Sequence, residues 1–128
     1  MFENNILFGV GPKMFREICY NKIYFVPDGC QTHPHNTYMQ LLAETGLIGA
    51  IPIILLFFSI VYLLFKTFII KIQRKTFLND YQICLLVTLF ITLWPVIPTG
   101  NFFNNFLNVI YFLPVGFLLH QFKNDIKL

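Results

Sequence analysis

Apolar residues are distributed unevenly along the chain. From residue 47 to residue 65 no charged side chain interrupts them, and after Lys66 the run resumes over residues 67–70. A helix rises 1.5 Å per residue, so this length crosses a hydrocarbon core of about 30 Å. Residues 47–70 therefore predict a first transmembrane helix, with Pro52 in its first turns, where a missing N–H does least harm. Residues 81–97 predict a second, shorter span. Asn79 or Asp80 can cap its start, and Trp94 with Pro95 marks its far interface. Residues 102–119 predict a third, interrupted by Asn104, Asn105, Asn108, Pro114 and Gly116; a buried or re-entrant piece is the alternative. The four asparagines Asn101, Asn104, Asn105 and Asn108 have helical spacing and form one polar stripe, better suited to packing against protein than against lipid.

Ahead of these spans the pattern is different. Residues 1–35 are rich in Gly and Pro and read as irregular loop. Gly9-Val10-Gly11 reads as a turn rather than a phosphate loop, since no strand precedes it. From Asn36 the spacing becomes helical, and Thr37 followed by Gln40 has capping-box spacing. A short helix over residues 36–46 follows, with Asn36, Gln40 and Glu44 on one side; Gly46 and Gly49 mark its passage into the first span. The fold class is thus all-α integral membrane: about three transmembrane helices preceded by an irregular outer loop and a short helix. Residues 71–80, 98–101 and 120–128 supply the connections and the tail.

Composition strengthens this picture. Of 128 residues, 56% are hydrophobic and only 12% charged, against about 25% charged in a soluble domain. The net charge of +3 is small, and its placement is more informative. Lys66, Lys71, Arg74 and Lys75 cluster between the first two spans, the 98–101 turn has no basic residue, and Lys123 and Lys127 follow the third. By the positive-inside rule the 71–80 loop and the tail are cytoplasmic, which puts residues 1–46 on the outer face. Lys13, Arg16 and Lys22 weaken that bias without reversing it. No basic run with interleaved aromatics favours nucleic acid. Residues 1–30 do not have the layout of a signal peptide. Cys19, Cys30, Cys84, His33, His35 and His120 lack zinc spacing. With residues 1–46 outside, Cys19 and Cys30 share an oxidising compartment, so a disulfide between them is allowed; Cys84 reads as an inert apolar side chain.

The most specific segment runs His33-Pro34-His35-Asn36-Thr37-Tyr38-Met39-Gln40-Leu41-Leu42-Ala43-Glu44-Thr45-Gly46. A histidine, ten residues and a glycine, here His35 and Gly46, resemble the signature of the O-antigen ligase and polymerase superfamily. Upstream, Leu7-Phe8-Gly9-Val10-Gly11-Pro12-Lys13-Met14-Phe15 resembles that family's loop entry. Downstream, residues 94–105, from Trp94-Pro95 to Asn104-Asn105, resemble its last outer turn. The three motifs stand in the right order, so the likeness extends over nearly the whole chain.

The resemblance implies transfer of a glycan from a polyprenyl diphosphate carrier to a sugar hydroxyl, such as that of a lipid A core, at the outer face of the bacterial inner membrane. It implies no metal and no cofactor. Such a transfer needs a group to accept the proton of the attacking hydroxyl, a task suited to histidine. It also needs positive charge beside the leaving diphosphate, which arginine's planar fork supplies. His35 is the catalytic candidate; the plainer alternative is a helix-start histidine in solvent. His33 reads as its solvated neighbour and His120 as an interface residue. Arg16 and Lys13 are phosphate-binding candidates, with a solvated surface role as the alternative. The family's outer-loop arginine is followed by a leucine, whereas the residue four after Arg16 is Tyr20. Asn36, Gln40 and Glu44 are candidates for sugar hydroxyls, with an ordinary wet helix face as the alternative. Glu44 alone does not make a glycosidase pair.

Members of this family have about a dozen spans, so three imply a C-terminal piece, completed by missing N-terminal spans or by a partner subunit. Ligation, polymerisation and protein glycosylation share the signature and remain open. A small non-enzymatic membrane subunit is the reading from another class.

Overall fold

The computed structural model describes residues 1–27 and 29–126. Among them every regular element is helical: a 3-10 turn at Phe2–Asn4, then α1 (Phe15–Ile18), α2 (Thr37–Ile72), α3 (Asp80–Thr92) and α4 (Asn105–Ile126). The contacts divide into two compact units. The first comprises Met1–Ile54 with Pro95–Leu107, and the second Leu55–Trp94 with Asn108–Leu128.

In the first unit α2 is not one continuous helix. Gly46 has φ 63° and ψ −159°, outside the helical region. A break of this kind leaves carbonyls on one side and N–H groups on the other without helical partners. Residues 6–11 meet two of each. The Val10 and Gly11 N–H groups donate to the Ala43 and Glu44 carbonyls at 3.0 and 2.8 Å, while Leu47 and Ile48 donate to the Ile6 and Leu7 carbonyls at 2.9 and 3.2 Å. The loop thus takes the place of the missing helical rungs. Glycine is needed at both crossing points. A Cβ on Gly9 (φ 64°) would lie 2.6 Å from the Glu44 oxygen, and one on Gly46 would lie 2.7 Å from the Gly9 nitrogen and overlap the Leu7 carbonyl.

The start of α2 is capped differently from the capping-box expectation. The Asn36 side-chain oxygen accepts from the Tyr38 and Met39 N–H groups at 3.0 and 3.1 Å, and its amide donates to the Pro95 carbonyl. Thr37 instead donates its hydroxyl to Thr99 at 2.9 Å. A cap needs a side chain just outside the first turn, and Asn36 has that position.

The disulfide that the sequence allows is present. Cys19 and Cys30 are bonded, with Cα atoms 5.6 Å apart, and Cys19 is 3% exposed. The bridge closes an otherwise irregular loop.

In the second unit Phe57 stacks on Phe90, with ring centres 5.9 Å apart, and Trp94 packs edge-on against both. Leu78, Leu86, Leu89 and Leu118 complete this core. Asn79 caps α3 through a full capping box with Gln82. Ser59, Thr67, Thr88 and Thr92 each donate to the carbonyl four residues earlier. These hydroxyls therefore need no water. Along α2, Leu55, Phe58, Tyr62, Phe65, Phe68 and Ile72 are all more than half exposed.

Two helices, Thr37–Ile72 and Asn105–Lys123, are long and apolar enough to cross a membrane, and little of either is buried within the chain. The helix in the expected second span is Asp80–Thr92, 13 residues, or about 20 Å. The helix in the expected third span begins at Asn105. Asn101 and Asn104 lie in the turn before it, so the four asparagines do not make a single helical stripe. Asn104 accepts from the Phe106 and Leu107 N–H groups and starts the helix instead. Lys127, part of the charge pattern above, lies outside the described residues.

Candidate functional site

The candidate residues among positions 1–46 lie in the first unit. The peptide turns at Gly11 (φ 107°) and again at Lys13, which has a φ of 64° despite its side chain. This turn feeds α1 and sets Lys13 and Arg16 on one cavity of about 210 Å³, together with Thr32, Asn101 and Asn104. The cavity draws on three chain segments far apart in sequence. Its lining holds two cations and three neutral hydrogen-bonding side chains, and no carboxylate. Arg16 also pairs through Nε with the adjacent Glu17 at 3.1 Å, both side chains being well exposed. An exposed neighbour pair of this kind holds its partners weakly.

α1 has an opposite side. Phe15 and Cys19 line a larger cavity of about 470 Å³ with Phe2, Tyr24, Met39 and Leu42. Its walls are almost wholly apolar, so the ionic chemistry of this unit belongs to the smaller cavity.

Gln40 and Glu44, 0% and 1% exposed, face the interior of the unit rather than solvent. The Glu44 carboxylate accepts from the backbone N–H groups of Lys13 at 2.8 Å and Phe15 at 3.2 Å. The Gln40 amide donates to Asn101 Oδ1 at 2.9 Å and to Glu44 at 3.4 Å, and its oxygen accepts from the Phe102 N–H at 2.9 Å. Their polar atoms are engaged by the chain itself. Asn36 is likewise engaged, as the cap of α2.

His35 is exposed. Its carbonyl accepts from the Thr99 N–H at 3.0 Å, which fixes its backbone to the 98–101 turn. Its ring lies 4.6 Å from that of His33, edge to face. His33 Nδ1 is 3.0 Å from the hydroxyl of Thr32, a residue of the polar cavity, and its Nε2 is buried without a partner. The run Thr32–His33–His35 thus links the cavity edge to the candidate base. The sequence pattern marks His33 only as a solvated neighbour and does not point to Thr32, Asn101 or Asn104 for the site. The two asparagines become visible only when the 98–104 turn is folded against α2. Among the described residues, no three His, Cys, Asp or Glu side chains converge as metal ligands.

Comparison with known proteins gives one result that bears on this unit. The family model described as O-Antigen ligase matches residues 1–54. The matched stretch contains Lys13, Arg16, the disulfide, His35, the Gln40–Glu44 pair and the helix break. No curated protein and no solved structure matches the chain.

Proposed function

We propose, from the match of residues 1–54 to the O-antigen ligase family model, that the chain is the C-terminal part of a membrane glycan transferase. It moves a glycan from a polyprenyl diphosphate carrier to a sugar hydroxyl at the outer face of the bacterial inner membrane. The observation that carries this reading is the convergence of Lys13 and Arg16 on a polar cavity whose edge residue, Thr32, is linked through His33 to His35.

Each part has a chemical task. As the bond between the glycan and the diphosphate breaks, negative charge builds on the leaving phosphate oxygens. Lys13 and Arg16 meet that charge, with Thr32, Asn101 and Asn104 as further hydrogen-bonding groups. His35 accepts the proton of the attacking hydroxyl. Its exposure leaves room for an acceptor sugar, and the Thr99 N–H holds its backbone in place.

Two independent features support an outer location. The basic residues 71–75 follow the positive-inside pattern for a cytoplasmic loop, and the Cys19–Cys30 bridge suits an oxidising compartment. In this reading α2 beyond Gly46, α3 and α4 form three crossings. α3 is short for its task, so its crossing is completed by the irregular stretch after Thr92. Non-helical backbone at that depth requires protein around it, which agrees with further spans packed on this chain.

The test is glycan transfer from a polyprenyl diphosphate donor by membranes carrying the chain with its associated spans. His35→Ala is expected to lower the rate by about a hundredfold or more. Unchanged transfer by His35→Ala, together with fixed-stoichiometry copurification with a multi-span enzyme, would instead favour a non-enzymatic subunit.

A further inference from the structure

Gln40 and Glu44 are one helical turn apart on α2, and neither lines the cation-bearing cavity. Between them, however, they hold two of its walls. Glu44 grips the backbone of Lys13 and Phe15, the segment that delivers Lys13 and Arg16. Gln40 grips Asn101 and Phe102, the turn that delivers Asn101 and Asn104. A bond from the Gln40 amide to the Glu44 carboxylate joins the two grips at 3.4 Å.

The chemistry of each grip matches its target. The first wall offers two N–H donors, which a carboxylate, an acceptor at both oxygens, satisfies at once. The second wall offers one acceptor, Asn101 Oδ1, and one donor, the Phe102 N–H, which an amide satisfies with its two ends. Exchanging the two residue types would mispair both walls. Lys13 also has a left-handed backbone that a residue with a side chain seldom adopts. Its N–H is held in that conformation by Glu44 Oε2 at 2.8 Å. Because both side chains are buried, a lost bond leaves an unsatisfied group in a low-dielectric setting, so these bonds fix position strongly.

We infer that Gln40 and Glu44 are positioning residues that set the spacing between the cationic wall and the asparagine wall of a phosphate-binding cavity, and touch neither phosphate nor sugar. The inference rests on the reading above that the cavity takes a phosphate group. It replaces a sugar-binding role for these two residues with a structural link from one helix face to two distant loops.

The test uses the full chain in detergent and two readouts, titration with inorganic pyrophosphate and amide hydrogen exchange. Glu44→Gln is expected to speed exchange at Lys13 and Phe15 without affecting Phe102. Gln40→Glu, which sets a carboxylate against Asn101 Oδ1, is expected to speed exchange at Phe102. Both are expected to weaken pyrophosphate binding about tenfold while the helices of the second unit keep their protection. Glu44→Ala and Gln40→Ala serve as second variants if either conservative change fails to fold. Pyrophosphate bound equally by wild type and both variants would overturn the positioning role and leave the phosphate reading intact. A wild-type chain that does not bind pyrophosphate, yet shows the local exchange changes, would overturn the phosphate reading and keep the mechanical link. Exchange that rises across the whole chain in every variant would reduce the pair to general stability and overturn the inference.

Discussion

Gly9 and Gly46 cross at a separation that leaves no room for a side chain on either. Both are in the left-handed region, at φ 64° and 63°, and a Cβ on each would meet backbone beside the other. The crossing joins the entry loop to the break in α2. That break turns Ala43 and Glu44 into acceptors for Val10 and Gly11, and so sets the side of the helix from which Glu44 reaches Lys13.

Gly46→Ala combines a backbone conformation (φ 63°, ψ −159°) open essentially only to glycine, costing about 1–3 kcal/mol, with overlap against Leu7, costing roughly 1–3 kcal/mol. The first unit should lose stability accordingly, read as a lower denaturation midpoint in detergent. Gly116 provides the contrast, since a Cβ there would have no neighbour within 4 Å. Gly116→Ala is expected to be neutral or stabilising, by up to about 1 kcal/mol.

Thiol labelling should distinguish the three cysteines. In denaturant, where the face of α3 that meets lipid is opened to water, Cys84 is free and should react without reductant, whereas Cys19 and Cys30 should react only after reduction. A paired Cys19→Ser and Cys30→Ser variant should lose roughly 3 kcal/mol in the N-terminal loop, read as faster proteolysis between residues 13 and 34.

The start of α2 makes a third prediction. Asn36→Ala removes the cap and the bond to Pro95 and should cost about 1 kcal/mol or more. If a Thr37 capping box governed this end, Thr37→Ala would be the more damaging change and Asn36→Ala nearly silent. Denaturation midpoints of the two single variants decide between them.

The all-helical class was legible in the apolar run after Leu47 and in the Asn79 start of α3. The likeness to the O-antigen ligase family, whose model matches residues 1–54, was legible in the spacing from His35 to Gly46, because a signature is local. What stayed hidden depends on distant partners. Gly46 marks the passage from the short helix to the first span, yet its non-helical backbone is met by residues 6–11, far back in the chain, which spacing alone does not connect to it. Gln40 and Glu44 spaced four apart read as a sugar-binding or a wet face; their burial comes from loops that no periodicity connects to α2. Asn101 and Asn104 fit a helical stripe by spacing, yet Asn104 caps the helix and Asn101 turns to Gln40. Lys13 and Arg16 stand out by their charge, and Asn101 and Asn104 complete their cavity from the opposite end of the chain.

Glycan transfer as proposed depends most on the side of the membrane that His35 and the Lys13–Arg16 cavity occupy. In a Cys84→Ser background, single cysteines at Glu3 and at Lys75, both exposed, can be tested in intact cells with a membrane-impermeant maleimide. Glu3→Cys is expected to react from outside, and Lys75→Cys only after the membrane is permeabilised. Labelling of both positions from the same side would contradict transfer at the outer face.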